Sequence, residues 1–155
     1  MKRPSIPYLS MAVFVLLLAV AGPAHALNQI KWHSYEEGLN MALSENKKIF
    51  INFHADWCKF CHTMDRQTFK DPDVIAFLNS NFIAIKVDAD HEKSVARKYN
   101  INPLPDSWFL SEKGEVIGNK PGYLPAKEMM LILQFVHTES YLKMSYGEFR
   151  KSYKP

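Results

Sequence analysis

The chain has 155 residues, of which 47% are hydrophobic and 23% are charged, and its formal net charge is +3. The length suits one domain with one apolar core. So small a charge gives no strong field for a nucleic acid or a membrane surface, and no nucleic-acid partner is expected. Two cysteines are too few for a disulfide framework, so we expect the pair to serve chemistry rather than structure.

The N-terminal segment predicts secretion. Lys2 and Arg3 precede an apolar run over 11–21, and small residues lead up to Ala26. The run is about 11 residues long, whereas roughly 20 are needed to span a bilayer, so it is typical of a cleaved signal peptide. We therefore expect a signal peptide over 1–26, which directs the mature protein out of the cytosol.

Helix and strand signals alternate in the first half of the chain. Ser34 with Glu37 has the form of a capping box, and Asp71 before Pro72 has the form of an N-cap followed by proline in the first turn. The elements predicted here are a helix from 34 to about 46, a strand over 48–54, a helix carrying the cysteines, a short helix from 72 and a strand over 82–87. The strand over 48–54 is nearly all apolar, as expected where both faces of a sheet are covered.

The second half predicts a hairpin between helices. Its elements are a polar helix over 92–99, a proline-rich connection over 101–105, a strand over 107–110, a turn at 112–114, a strand over 115–117 and a helix over 124–137. This order predicts an α/β domain over 27–137, with a central mixed β-sheet flanked by helices on both faces. Residues 138–155 are predicted to be a C-terminal extension with an extra helix.

The most informative motif joins the only two cysteines, Cys58 and Cys61, one helical turn apart. Because it directly follows the strand over 48–54, the first sulfur is expected where a strand ends and a helix begins. Unpaired backbone N–H groups and the positive end of the helix dipole favour a thiolate there, and Lys59 adds a positive charge nearby. We therefore expect a lowered pKa for Cys58, which makes it the nucleophile, while Cys61, a turn further in and less exposed, resolves the mixed disulfide.

Three other interpretations of the same residues stay open at this point. Cys58, Cys61 and His62 also spell Cys-x-x-Cys-His, the attachment signature of a c-type haem electron carrier with His62 as iron ligand. The same three residues with His54 could instead hold zinc. A purely structural disulfide is the third alternative, but so small a loop would add little stability.

The chain as a whole resembles the thioredoxin superfamily, in particular the C-terminal thioredoxin-like domain of DsbD and small periplasmic thioredoxin-like proteins. The resemblance rests on the residues over 54–58 with Cys61, on 68–72 and on 122–124. It implies a thioredoxin fold without a cofactor or a metal. It also implies a monomeric periplasmic thiol-disulfide oxidoreductase that reduces protein disulfides, with isomerase or oxidase as alternatives within the fold. Its partners would be disulfide-containing proteins and a membrane electron donor of the DsbD type.

The same resemblance places the substrate-binding loop at 99–105, with Pro105 as a catalytic cis-proline. In the family this loop leaves a backbone edge unpaired beside the nucleophile, where a substrate strand can dock by main-chain hydrogen bonds. The residues expected to contact the substrate are therefore Trp57, Leu104 and Pro105.

Two departures from the family pattern concern acidic residues, and a third is His62, which follows Cys61 where lysine is common. Asn52 stands where the family holds a buried acid that helps to deprotonate the resolving cysteine. Asp65, four residues after Cys61 and hence on the same helix face, is the predicted catalytic substitute. Lys86 matches a family lysine near that acid. Asp106 follows Pro105 where threonine is usual, which predicts a more acidic substrate groove.

Overall fold

The computed structural model describes residues 29–152, so the predicted signal peptide over 1–26 lies outside the described residues. The elements are β1 (Trp32–His33), α1 (Tyr35–Glu45), β2 (Lys48–His54), α2 (Lys59–Arg66), α3 (Pro72–Asn81), β3 (Phe82–Asp88), α4 (Lys93–Lys98), β4 (Asp106–Leu110), β5 (Val116–Pro121), α5 (Ala126–His137) and α6 (Tyr146–Ser152). Short 3-10 helices cover Thr68–Lys70 and Ser140–Leu142. None of the helices in this part of the chain combines the length and the apolarity needed to cross a bilayer.

The five strands form one mixed sheet in the order β1-β3-β2-β4-β5. Strands β1, β3 and β2 run parallel, whereas β4 and β5 add antiparallel pairs at the other side. The predicted central mixed sheet is thus confirmed. Near the end of β2, Asn52 pairs in register with Lys86 of β3 on one side and with Ser107 of β4 on the other.

Each face of the sheet carries its own apolar core. On β2, Phe50 points into the core that contains residues of α3 and α5, whereas Ile49 and Ile51 point into the core that contains residues of α1. This alternation follows from the two-residue repeat of a strand. Helix α1 approaches β3 so closely that a Cβ atom at Gly38 would overlap the side chain of Ile85.

Two local features differ from the sequence predictions. The Ser34 side chain makes no capping hydrogen bond to α1, and the Glu37 carboxylate lies 3.5 Å from Nδ1 of His33, so the predicted capping box does not form. Strand β1 was not predicted, because two residues are too few to show an alternating pattern. The cap at Asp71 is confirmed, since its Oδ1 accepts hydrogen bonds from the backbone N–H groups of Asp73 and Val74.

The C-terminal extension folds back on the domain and contains the predicted extra helix, α6. Tyr146 of α6 donates a hydrogen bond to Glu128 of α5 at 2.9 Å, and its ring packs 5.5 Å from that of Phe135. Before α6, Glu139 forms an ion pair of 2.8 Å with Lys48 at the start of β2. The extension therefore packs on α5, away from the cysteine motif.

Candidate active site

The two cysteines lie at the N-terminus of α2 and are joined by a disulfide bond, with Cα atoms 5.2 Å apart. Cys58 is the N-cap residue in an extended conformation, reached from β2 through a turn in which its N–H donates to the carbonyl of Ala55. Its Sγ accepts a hydrogen bond of 3.1 Å from the backbone N–H of Cys61. The first sulfur therefore meets both a helix N-terminus and a backbone donor, two features that favour a thiolate.

The two cysteines are almost equally buried. Cys58 is 4% exposed and Cys61 is 3% exposed, although we expected Cys58 to be the more exposed of the two. Both pack with Ala55 and with the side chain of Leu104, which covers them from the neighbouring loop. The difference between the cysteines therefore rests on their positions at the helix end rather than on solvent access.

Exposed aromatic side chains flank the disulfide. Trp57 is 71% exposed and Phe60 is 59% exposed, which is unusual for such large apolar groups. The indole Nε1 of Trp57 donates a 2.7 Å hydrogen bond to Asp90, which fixes the ring beside Cys58. The motif thus presents an apolar rim around a covered disulfide.

The predicted substrate-binding loop lies against the cysteines. The Leu104 side chain packs on them, while its backbone N–H and C=O have no hydrogen-bond partner within residues 29–152. Pro105 is buried and accepts a 2.7 Å hydrogen bond from the N–H of Gly122 through its carbonyl. The peptide bonds before Pro103 and Pro105 are both cis.

Asp65 lies on α2 one turn after Cys61 and forms an ion pair with Lys86 of β3. Its Oδ1 is 2.7 Å from Nζ of Lys86, which also lies 5.5 Å from the centre of the Trp32 ring. Lys86 stands beside Asn52 in the sheet. Asp65, the predicted substitute acid, and Asn52, at the position of the missing acid, therefore both neighbour Lys86.

Two polar residues beside this ion pair were not predicted to act in exchange chemistry. His54 was considered only as a zinc ligand, and Ser107 only as part of a strand. His54 lies on the same face of β2 as Asn52, two residues further on, and this two-residue spacing was the signal that could have identified it. Burial, and then the charge of Lys86, lower the pKa of His54 against the opposing effect of nearby carboxylates.

Asp106 does not make the substrate groove acidic, contrary to the sequence prediction. Its side chain is turned inward and the residue is only 3% exposed. The carboxylate accepts hydrogen bonds from Nε1 of Trp108 at 2.9 Å and from Nδ2 of Asn119 at 3.1 Å. Burial raises the pKa of Asp106, and these two donors oppose that rise.

Among the described residues, His62 of the motif does not form a metal-binding group with Cys58 and Cys61. The ring Nε2 of His62 lies 2.7 Å from the backbone carbonyl of Asp56, on the exposed side of α2. Within residues 29–152 no group of three His, Cys, Asp or Glu side chains is placed to hold a metal ion.

Comparison with known proteins agrees with the fold and the motif. A thioredoxin from Thermus thermophilus has a similar structure, with a TM-score of 0.64 and 26% identity, and the match covers 70% of this chain and 87% of that one. The thiol:disulfide interchange protein DsbD of Photorhabdus laumondii subsp. laumondii is 26% identical over 98 residues, which are 60% of this chain and 17% of DsbD. Spermatogenesis-associated protein 20 of Mus musculus is 33% identical over 76 residues, or 48% of this chain.

The chain spans about a tenth of the length of the longer relatives such as Spermatogenesis-associated protein 20. The family match itself covers residues 35–137, which run from α1 to the end of α5 and include the whole cysteine motif. The chain therefore belongs to the thioredoxin-like domain family.

Proposed function

We propose that this protein is a thiol-disulfide oxidoreductase that reduces disulfide bonds of other proteins in the bacterial periplasm. One observation carries the proposal: a Cys58–Cys61 disulfide at the N-terminus of α2, directly beside the Leu104 backbone, which has no hydrogen-bond partner within residues 29–152. A redox-active pair and a docking edge for an extended peptide are the two parts that exchange with protein disulfides requires.

In the reduced protein, the Cys58 thiolate attacks one sulfur of a substrate disulfide. A Cys58–substrate bond forms, and the other substrate sulfur leaves as a thiolate. Cys61 then loses its proton and attacks Sγ of Cys58, which releases the second substrate sulfur and restores the Cys58–Cys61 disulfide. Two electrons pass from the cysteine pair to the substrate, which leaves as a dithiol.

Substrate recognition is proposed to depend on main-chain contacts. The N–H and C=O of Leu104 would pair with an extended segment of the substrate, which demands little of its side chains. Trp57 and the loop at Pro105 would contact the residues that flank the substrate cysteine. This arrangement suits a monomer that serves many disulfide-containing proteins.

The periplasmic location and the electron donor are inferred from the sequence. The apolar run over 11–21 and the residues before Ala26 favour export, and the similarity to DsbD favours a membrane donor of that type. Such a donor would reduce the Cys58–Cys61 disulfide after each turnover.

Insulin reduction in the presence of dithiothreitol tests the enzyme. The wild type should accelerate the precipitation of insulin chains, and the Cys58→Ser variant should not. Equal rates for the two would overturn the proposal. A purified protein that is red and has a Soret band would instead favour the haem carrier.

Equilibration of the cysteine pair with glutathione tests the reductive direction. A potential near that of thioredoxin, about −270 mV, is expected for a reductase. A value near −120 mV, roughly that of DsbA, would assign the protein as an oxidase, and one near −180 mV as an isomerase.

A further inference from the structure

A polar cluster lies between α2 and the sheet face beneath it. It consists of Asn52, His54, Asp65, Lys86 and Ser107. Cys61 is buried one turn before Asp65 on the same face of the helix, and Asp65 reaches Lys86 in the sheet. The thiol of Cys61 therefore lies over this part of the sheet rather than toward solvent.

Two members of the polar cluster have polar atoms without a hydrogen-bond partner in the described part of the chain. Asn52 is 2% exposed and Ser107 is fully buried, yet Nδ2 of the former and Oγ of the latter form no hydrogen bond within residues 29–152. Buried polar groups nearly always have a partner, and a buried water molecule often supplies it. The two residues are direct cross-strand partners, whose Cβ atoms in antiparallel pairs are about 5 Å apart, so one water molecule could bind both.

His54 is the next residue along the same face of β2. Its half-buried ring forms no hydrogen bond within the described residues. The charged groups that face it are Lys86 and Asp88 on β3, Asp65 on α2 and Asp56 in the turn before α2. Because burial and Lys86 lower its pKa, the imidazole is neutral at neutral pH and can accept a proton.

We propose that His54 accepts the proton of the Cys61 thiol in the resolving step, through a water molecule held between Asn52 and Ser107. This role rests on the proposed function, because resolution is a step of disulfide exchange. Asp65 is already paired with Lys86 and acts as a positioning residue, which partly neutralises the lysine beside the imidazole.

The step balances in protons and electrons. The proton leaves Sγ of Cys61 for the bound water molecule, which passes a proton to the free imidazole nitrogen of His54. The Cys61 thiolate then attacks Sγ of Cys58, the bond between Cys58 and the substrate sulfur breaks, and the substrate leaves as a thiolate. The imidazolium afterwards returns its proton to solvent, to which His54 is partly exposed.

The two thiol steps can be measured separately with dithiobis(nitrobenzoate). Each step releases one coloured nitrothiobenzoate, the first when Cys58 attacks the reagent and the second when Cys61 resolves the mixed disulfide. In His54→Gln the first phase should stay within about two-fold of the wild type, and the second should slow by about 100-fold at neutral pH. The unchanged first phase would also show that the variant is folded.

His91→Gln is the matched control, because His91 is exposed and pairs with Asp88 outside the polar cluster. Both of its phases should match those of the wild type. Ser107→Ala removes one water ligand and should slow the second phase only. Since the imidazole must be neutral, the second phase of the wild type should rise with pH through the pKa of His54, and this rise should be absent in His54→Gln.

Asp65→Asn tests how the charge of Lys86 affects the pKa of His54. It leaves Lys86 unpaired beside the imidazole, which lowers the pKa of His54, so the rise of the second phase should move to lower pH. A second phase that is unchanged in His54→Gln would overturn the role of His54 and leave the proposed function intact. Absence of both phases in the reduced wild type would instead overturn the proposed function.

Discussion

Because Cys58 lies at the N-terminus of α2, we expect its reduced side chain to favour the thiolate strongly over the thiol. In Cys61→Ser the backbone N–H of residue 61 remains, so Sγ of Cys58 keeps its 3.1 Å donor and the helix dipole. The dipole contributes up to about 2 kcal/mol at a partly buried end, and a hydrogen bond to a charged acceptor contributes about 1.5–3 kcal/mol. Burial of the sulfur opposes both effects, because desolvation disfavours the charged form.

A net preference of about 2 kcal/mol would raise the thiolate-to-thiol ratio roughly 30-fold over that of a free cysteine. The assay is the pH dependence of alkylation by iodoacetamide in Cys61→Ser, folded and in denaturant. The folded thiol should reach half of its maximal rate at a lower pH than the unfolded thiol. In Cys58→Ser the remaining Cys61, inside the helix and equally buried, should react more slowly at neutral pH. Equal midpoints in folded and denatured protein, or faster alkylation of Cys61, would refute the reasoning.

Three further predictions concern the surroundings of the site. Gly38→Ala should lower the free energy of unfolding by about 1–3 kcal/mol, since overpacking against β3 outweighs the higher helix propensity of alanine, whereas Gly118→Ala, with open space around it, should not. Urea denaturation measures both, and equal effects would contradict the close approach. Asp106 has a raised pKa in the folded state, so its stabilising contribution is complete below its unfolded pKa and is lost as pH rises through its folded pKa. The stability of the wild type relative to Asp106→Asn should therefore fall from acidic to neutral pH, and parallel curves would count against a buried carboxylate. Asp65→Asn should move the pH-dependent rise of the resolving step of Cys61 to lower pH and leave alkylation of the nucleophile nearly unchanged; an unshifted pH dependence would remove Asp65 from the site.

Local sequence signals predicted the elements that position the motif. The apolar run over 48–54 followed by Cys58 placed a sulfur at a strand-to-helix junction, because strand composition and helix capping depend on neighbouring residues. The same holds for the cap at Asp71. By contrast, Ser34 has the sequence of a cap without the contact, since its partner Glu37 lies near His33 of the adjacent strand β1.

Features that depend on contacts between distant segments could not be predicted. The equal burial of Cys58 and Cys61 results from packing against the Leu104 side chain, which belongs to a loop more than 40 residues later in the sequence. The inward orientation of Asp106 depends on its donors Trp108 and Asn119, the second of which lies on another strand. Neither the Leu104 contact nor the Asn119 contact has a signal in the local sequence.

Substrate trapping tests most directly the assignment of Cys58 as nucleophile and Cys61 as resolver. Reduced Cys61→Ser and reduced Cys58→Ser are each incubated with insulin, and mixed disulfides are detected on non-reducing gels. Cys61→Ser should accumulate a complex that reductant releases, because the attack proceeds and the intramolecular escape is lost. Cys58→Ser should trap almost none. Comparable trapping by the two variants would contradict the assignment.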